Sequence, residues 1–229
     1  MNFPILQTNN FFDKPFDILE YANTLNFEKD KNGRYPGKRT KSLHILNNSL
    51  FNHINSKVIR LLYPEYQVFS NIHWTANTYF QKINYSDVTL NIKNLENKGV
   101  GWVHTDRESM ITILIYLTPS NINSGTSIYV KKNDLSFDDA EMQYTVKRDF
   151  YLNKNVDEKK YLEVLNKNIN NYNLLCKSNS IFNSMFLFDS SHFHSANFDL
   201  EENEERITLL SFINNITVPY FPIPEMNKI

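Results

Sequence analysis

Most of the chain after residue 66 consists of short hydrophobic runs separated by turn-forming residues, and this pattern constrains the fold more than any other feature. The runs are rich in β-branched and aromatic residues and are bounded by Asn, Asp, Ser and Gly, which is typical of the strands of a β-sandwich or jelly roll. One stretch, 156–175, has apolar residues at helical spacing and predicts an inserted helix. The predicted strands cover 67–85, 100–104, 110–118, 126–130, 143–151, 181–188 and 206–218.

The N-terminal part of the chain is predicted to be helical. Apolar residues recur at helical spacing over about 13–25 and 48–63, so two helices should precede the strands. Helices that come before a set of strands, rather than alternating with them, indicate an α+β fold. We expect an α+β, mainly β fold in which a jelly-roll core is braced on one side by the N-terminal helices. The expected organisation is a single domain over 1–229, with helical support in 1–66, a core in 67–218 that carries a helical insertion at about 152–176, and a tail in 219–229.

Composition and charge exclude several classes of protein. The 229 residues carry a formal net charge of −1, so the chain lacks the positive field that nucleic acid or anionic lipid requires. Cys176 is the only cysteine, which excludes a disulfide framework and a thiolate zinc cluster and agrees with a reducing compartment. The longest apolar run, 111–117, is too short to cross a bilayer, and the N-terminal residues do not resemble a secretion signal. We expect a cytoplasmic protein that binds neither nucleic acid nor a membrane.

Two pairs of polar residues carry the candidate chemistry. His104 and Asp106 are two residues apart at the end of a short predicted strand, and residues at this spacing project from the same face of a strand. An imidazole and a carboxylate in that arrangement can converge on one metal ion. Arg206 and Thr208 have the same spacing at the start of a later predicted strand, where a planar fork of donors and a hydroxyl suit a carboxylate bound by two hydrogen bonds.

A third candidate ligand lies between these pairs. His192 and His194 both follow the predicted strand 181–188, and at this spacing both could face a metal. Such a histidine pair also occurs in cupins, but the cupin pattern requires glycines at fixed offsets and a Glu soon after the second His, which 192–200 lacks.

In order and spacing, these residues resemble the Fe(II)/2-oxoglutarate-dependent dioxygenases, especially their prolyl-hydroxylase-like branch. The shared pattern is H-x-D, a long gap, a His and then an Arg, which here comes twelve residues after His194. The resemblance covers roughly 67–218 and implies a double-stranded β-helix (jelly-roll) core. The segment 35–39, Tyr-Pro-Gly-Lys-Arg, also resembles one found before the oxygenase core in bacterial and phage members.

The resemblance implies a role for each candidate residue. In the family pattern the last His comes a few residues after the end of an apolar strand, which favours His194 over His192. Two His and one carboxylate form the facial triad that leaves the other iron positions open. The residues so implied are His104, Asp106 and His194 as catalytic iron ligands, and Arg206, Thr208 and Tyr116 as the group that binds the distal carboxylate of 2-oxoglutarate.

The implied activity is hydroxylation of a peptidyl side chain or a small metabolite, with release of succinate and CO2. It implies Fe(II), 2-oxoglutarate and O2, with ascorbate as a supporting reductant, and a small-molecule or peptide substrate as the partner. The alternatives are a zinc hydrolase or a 2-oxoglutarate-independent iron oxygenase with the same ligands, a non-catalytic binding module, and a capsid-type sandwich. Arg206 and Thr208 argue against a hydrolase, which has no need for a carboxylate receptor. Arg39 and Arg107 are interpreted as exposed loop arginines, with the substrate entrance as the alternative.

Overall fold

The structure is a computed structural model, and the predictions can be compared with it over most of the chain. Predictions for 67–71, for residue 100 and for the tail outside 220–222 lie outside the described residues. The structure describes residues 3–64, 72–88, 101–119, 123–132, 137–152, 156–218 and 220–222.

Helices and strands cover comparable shares of the described chain, in a mixed α and β architecture. The helices are α1 (Pro15–Asn23), α2 (Leu43–Leu46), α3 (Asn48–Leu62), α4 (Tyr85–Val88), α5 (Phe137–Tyr151) and α6 (Glu158–Asn170). The strands are β1 (Leu6–Thr8), β2 (Glu28–Lys29), β3 (Lys38–Arg39), β4 (His73–Asn84), β5 (Ile111–Tyr116), β6 (Thr126–Lys131), β7 (Tyr172–Ser178), β8 (Met185–Asp189), β9 (Phe193–Ala196) and β10 (Glu205–Thr217).

The strands form two antiparallel sheets. The large sheet has seven strands in the order β1-β8-β5-β10-β4-β3-β2, and the small sheet has three in the order β7-β6-β9. Strand β10 lies at the centre of the large sheet, where Thr208 is opposite Tyr116 on one side and Gln81 on the other. Residues from the middle and the end of the chain are therefore neighbours on one sheet surface.

The two faces of the large sheet pack against different partners, because successive side chains of a strand point to opposite faces. Ile113 lies in a core cluster with Ile54 of α3, so this face is covered by the N-terminal helices as predicted. Leu114 and Tyr116, which point the other way, cluster with Ile128 of the small sheet. The face toward the small sheet is the one that carries the site described below.

The predicted strand over 143–151 is wrong, because these residues form the second half of α5. Val146 packs with Trp102 and with Tyr161 of α6 in a cluster separate from the main core. The contacts of this helix face override the local β preference of the Tyr-Thr-Val run at 144–146, as tertiary packing commonly does.

Two further predicted boundaries need correction. The helix predicted for 156–175 ends at Asn170, and the following residues form β7, which pairs with β6. The helical insertion expected at about 152–176 therefore contains one helix, α6, and the first residues of β7, and it is preceded by α5. Within 101–104 the predicted strand is reduced to an isolated bridge between His104 and His194. No helix in the described ranges is both long enough and apolar enough to cross a membrane.

Candidate active site

Three of the predicted site residues converge on one point. The side chains of His104, Asp106 and His194 each offer one ligand atom, and these atoms all lie within 4.8 Å of one another. The Nε2 atoms of His104 and His194 lie 3.8 and 3.3 Å from the two oxygens of the Asp106 carboxylate. His194 is almost fully buried, whereas His104 and Asp106 remain in partial contact with solvent.

Backbone hydrogen bonds hold the ligand-bearing segments together. The amide of His104 donates to the carbonyl of His194 at 2.9 Å, and the amide of His194 donates to the carbonyl of His104 at 2.8 Å. The amide of Asp106 donates to the carbonyl of Ser190 at 3.1 Å, just after β8. Two segments far apart in sequence are thus fixed side by side, and His194 lies on β9 of the small sheet rather than at the end of β8.

Hydrogen bonds from the Nδ1 atoms fix the orientation of both imidazole rings. Nδ1 of His104 donates to the carbonyl of Trp102 at 2.8 Å, and Nδ1 of His194 donates to the carbonyl of His192 at 3.0 Å. Because a carbonyl can only accept, these bonds place the proton on Nδ1 and leave Nε2 unprotonated, with a lone pair free to bind a metal. Both lone pairs face the carboxylate of Asp106, and a cation between the three groups relieves their mutual repulsion. This is the ring arrangement that proteins use for metal-bound histidines.

The charge states of the ligands also suit a cation. Desolvation lowers the pKa of His104 to about 3, helped by the positive charge of Lys147 and by repulsion between the protonated forms of His104 and His194, and opposed by Asp106. Burial raises the pKa of Asp106, but the two histidines and the Thr112 hydroxyl, which donates at 2.8 Å, outweigh burial and hold that pKa below its usual range. A neutral His104 beside an ionised Asp106 belongs to a donor set that binds Fe(II) or Zn(II).

Arg206 is buried beside this cluster and is held by polar partners that carry no charge. It is 2 % exposed, and its Nε donates to the Thr208 hydroxyl at 3.1 Å. Its Nη1 donates to the carbonyls of Gly125 and Asn197 at 3.2 and 3.1 Å. Within the described part of the chain no carboxylate pairs with this guanidinium, and burial lowers its pKa. A buried guanidinium with its Nη2 donors unused is suited to bind an anion from solution.

Tyr116 and Thr208 are not among the residues that line the cavity, but each is hydrogen-bonded to one that is. The Tyr116 hydroxyl donates to that of Thr126 at 3.0 Å and lies 2.9 Å from the Ser178 hydroxyl. Thr126 and Arg206 line the cavity, and Tyr116 and Thr208 bond to them. Direct contact of Tyr116 or Thr208 with a co-substrate stays a prediction, and the structure adds Thr126 as a hydroxyl that sequence analysis did not single out.

A single cleft joins the converging ligands to Arg206. Its volume is about 100 Å³, well above the roughly 10–15 Å³ that one water molecule requires on this scale. It lies on the inner face of the large sheet and is closed on the other side by the small sheet and α5. Its polar and aromatic lining includes His104, Asp106, His194, Arg206, Thr126, Trp102, Arg39 and Lys147.

The structure revises the interpretation of the remaining candidates. Arg39 is not an exposed loop residue, because it lines the cleft, whereas Arg107 is exposed. His192 is buried but lies outside the group of converging ligands, and its carbonyl orients His194. Lys147 was missed because it falls in the stretch that local preference assigned to a strand.

Solved structures with a similar fold include two proteins with a metal and 2-oxoglutarate bound and a prolyl hydroxylase. HygX from Streptomyces hygroscopicus, with nickel, 2-oxoglutarate and hygromycin B bound, is 11 % identical, with a TM-score of 0.54 over 96 % of this chain and 85 % of its own. A prolyl hydroxylase from Trichoplax adhaerens, in complex with a peptide fragment of hypoxia inducible factor, is 14 % identical, with a TM-score of 0.51 over 98 % of this chain and 86 % of its own. The epimerase SnoN, in complex with Fe3+, alpha ketoglutarate and nogalamycin RO, is 10 % identical, with a TM-score of 0.53 over 96 % and 82 %. The fold is therefore that of the Fe(II)/2-oxoglutarate oxygenases.

Within this fold class, the chain belongs to the family described as a family of unknown function (DUF6445), whose sequence profile matches residues 2–209. The matched span includes the three converging ligands, Arg206 and Thr208. No curated protein sequence matches the chain.

Proposed function

We propose that the protein is a non-haem Fe(II)- and 2-oxoglutarate-dependent dioxygenase that hydroxylates a small molecule or a peptidyl side chain. The observation that carries this proposal is the convergence of His104, Asp106 and His194 in the same cleft as the buried Arg206, which pairs with no carboxylate of the described residues. The fold shared with HygX, SnoN and a prolyl hydroxylase supports it.

In this proposal His104, Asp106 and His194 hold Fe(II) through two Nε2 atoms and a carboxylate oxygen. When bound, Fe(II) together with 2-oxoglutarate activates O2 and yields succinate, CO2 and a hydroxylated product, with ascorbate as a supporting reductant. The chain supplies orientation, because the carbonyls of Trp102 and His192 fix both rings and Thr112 fixes the carboxylate. Such fixed partners strengthen metal binding and set the direction of each ligand.

Arg206 would bind the distal carboxylate of 2-oxoglutarate. Its Nε and Nη1 are already engaged, so Nη2 is available, and the Thr208 hydroxyl that accepts from Nε retains its own proton to donate. Tyr116 would act on the same carboxylate directly or through Thr126. A buried guanidinium is matched to a carboxylate in both charge and planarity.

Arg206 also separates this proposal from a zinc hydrolase. A hydrolase could use the same three ligands, but it has no use for a buried guanidinium without an internal carboxylate. Maintaining a cation in the interior without a charged partner is costly, and binding of an anionic co-substrate offsets this cost.

The proposal includes the organisation of the chain. We propose one domain over 1–229, in which the two sheets are the halves of a double-stranded β-helix (jelly roll) and 1–66 supports the large sheet. We also propose that the protein works in the cytoplasm, since the lone Cys176 is a free thiol and suits a reducing compartment.

The test is formation of succinate from 2-oxoglutarate in the presence of Fe(II) and O2. We expect the wild type to form succinate, and we expect succinate turnover by Asp106→Ala to be at least about a hundredfold lower. Removal of groups that only orient metal ligands already lowers metal affinity or activity roughly 10–100-fold. The matched control is Arg107→Ala, an exposed neighbour outside the converging group, which should retain wild-type turnover. Equal turnover in the wild type and Asp106→Ala contradicts the proposed chemistry.

A further inference from the structure

Besides Arg206, three more cations line the cleft, namely Arg34, Arg39 and Lys147. Arg39 comes from β3 and Lys147 from α5, and both line the same cleft as the converging ligands. Within the described residues neither forms an ion pair with an acid. Asp106 is the only acidic residue among those described as lining the cleft, so it faces an excess of positive charge.

Arg39 is built into an aromatic platform. Its guanidinium carbon lies 3.7 Å from the centre of the Tyr35 ring and 5.5 Å from that of Phe212. Its Nε is buried and donates no hydrogen bond to any described residue. A buried donor without an acceptor destabilises the folded protein, so this arrangement indicates a missing partner rather than a solvated surface charge.

The backbone around Arg39 is fixed, so its position is not that of a mobile surface loop. Gly37 has a φ of +70°, and a Cβ there would lie 2.1 Å from the carbonyl oxygen of Lys82, so only glycine fits. Arg39 is paired with Gln81 across β3 and β4. The side-chain amide of Gln81 donates from Nε2 to the Pro36 carbonyl at 2.9 Å. This explains the Tyr-Pro-Gly-Lys-Arg segment that sequence analysis noted.

Lys147 reaches the cleft from helix α5. Burial lowers its pKa to about 8, with Asp106 acting in the other direction, so the amine stays mostly protonated at pH 7. Arg34 also lines the cleft, but three hydrogen bonds tie its backbone and guanidinium to the Asp30 carboxylate. Arg39 and Lys147 are therefore the two cations left for a ligand on this side.

The excess of charge persists when the proposed metal and co-substrate are counted. The two positive charges of Fe(II) and the two negative charges of 2-oxoglutarate cancel, which leaves Asp106 against Arg206, Arg39 and Lys147. With Arg34 paired with Asp30, two positive charges then have no counterpart among the described residues. In a partly desolvated cleft such an excess strongly favours an anion.

We propose that the substrate of this site is an anion whose carboxylate is bound by Arg39 and Lys147. This inference rests on the proposed oxygenase function and adds to it the chemical class of the substrate. A carboxylate is favoured over a phosphate because the Tyr35 ring covers one face of the Arg39 guanidinium and leaves its edge for hydrogen bonds. A planar edge matches a planar carboxylate, while Lys147 supplies a compact charge without directional demand.

The test uses protein loaded with Ni(II) and 2-oxoglutarate, so that binding is measured without turnover. N-acetyl amino acids, the corresponding neutral amides, a blocked peptide with an internal Glu, and inorganic phosphate are titrated and followed by calorimetry. We expect the carboxylates to bind and the amides not to. The two carboxylate probes then distinguish a small-molecule source from a peptide source.

The variants locate the binding site. Arg39→Gln and Lys147→Gln should each weaken carboxylate binding by roughly 10–100-fold, as expected for loss of a charge-assisted contact, and both should keep 2-oxoglutarate affinity within about twofold. Arg60→Gln, which removes the same charge from an exposed position on α3, should leave carboxylate binding unchanged. If Arg39→Gln does not fold, Lys147→Gln decides the result.

Each other outcome overturns a defined part of the proposal. Protein that takes up Ni(II) and 2-oxoglutarate but binds no carboxylate, or binds it equally well in both variants, contradicts the inference and leaves the oxygenase function standing. Preference for phosphate contradicts the carboxylate class. Loss of 2-oxoglutarate binding in Arg39→Gln reassigns this residue to the co-substrate. Wild-type protein that takes up neither Ni(II) nor 2-oxoglutarate overturns both proposals.

Discussion

Arg206 shows how a single residue decides between chemistries that share the same metal ligands. Replacement by Gln removes the charge but keeps a donor, and we expect the Kd for 2-oxoglutarate to rise roughly 10–100-fold, since hydrogen bonds to charged groups contribute about 1.5–3 kcal/mol. Arg206→Lys should have a Kd for 2-oxoglutarate between those of the wild type and Arg206→Gln, because an amine keeps the charge but loses the planar fork. The measurement is calorimetric titration of 2-oxoglutarate into Ni(II)-loaded protein, with the exposed Arg60→Gln as the control for net charge. Unchanged affinity in Arg206→Gln would remove this residue from the co-substrate site.

At the same scale, spacing predicted some site residues and missed others. The H-x-D and R-x-T pairs are visible because two side chains of one extended segment share a face, and the structure brings His104, Asp106 and Arg206 to one cleft. Arg39 and Lys147 are single residues on elements distant in sequence from these pairs. Their burial arises only when β3 pairs with β4 in the large sheet and α5 packs beside the cleft, which no local pattern encodes.

Among the elements, those with a strong periodic pattern were predicted well. Helix α3 and strands β5 and β10 lie within one or two residues of their predicted bounds, because each buries a continuous apolar face. The predictions failed for α5, whose position depends on packing against α6, and did not foresee the two-residue strands β2 and β3. Strand β9, which carries His194, was not predicted, because its four residues give too little alternation to be recognised.

At the scale of elements, the packing of helix α3 against the large sheet can be tested by mutation. Ile54 is fully buried between this helix and the large sheet, whereas Leu61, seven residues later, is 46 % exposed. Ile54→Ala should lower the free energy of unfolding by about 2–5 kcal/mol, from lost burial and the cavity that remains. Leu61→Ala should stay within about 0.5 kcal/mol of the wild type. Chemical denaturation of both variants measures the difference, and equal effects would contradict the packing of α3 described above.

For the molecule as a whole, the site exists only because two sheets and helix α5 meet. The large sheet supplies Arg206 and Arg39, the small sheet supplies His194, and α5 supplies Lys147. Each element contributes polar groups that would be hydrated in the unfolded chain, and folding brings them together before a metal or an anion is added. Assembly of the site therefore opposes folding, and this opposition is measurable in the metal-free protein.

The loss of stability of the metal-free protein on acidification measures this cost most directly. Desolvation lowers the pKa of His104 to about 3 in the folded, metal-free protein, whereas an unfolded histidine titrates near 6.5. Between these values the unfolded chain binds a proton that the folded protein does not, so stability present above pH 6.5 is lost as the pH falls below it. The lowered pKa of Asp106 acts in the same direction below its ordinary value of 3.8.

We expect the Tm of EDTA-treated protein to fall as the pH is lowered from 7.5 to 4.5 in thermal unfolding experiments. The fold lowers the pKa of two histidines, His104 and His192. His104→Gln removes the first of them and should show a shallower fall, because glutamine does not titrate. His53→Gln, which replaces an exposed histidine on α3, should keep the wild-type slope and controls for the loss of any histidine. A wild-type slope in His104→Gln would show that this imidazole is not desolvated in the folded protein, and the orientation of the metal ligands would need revision.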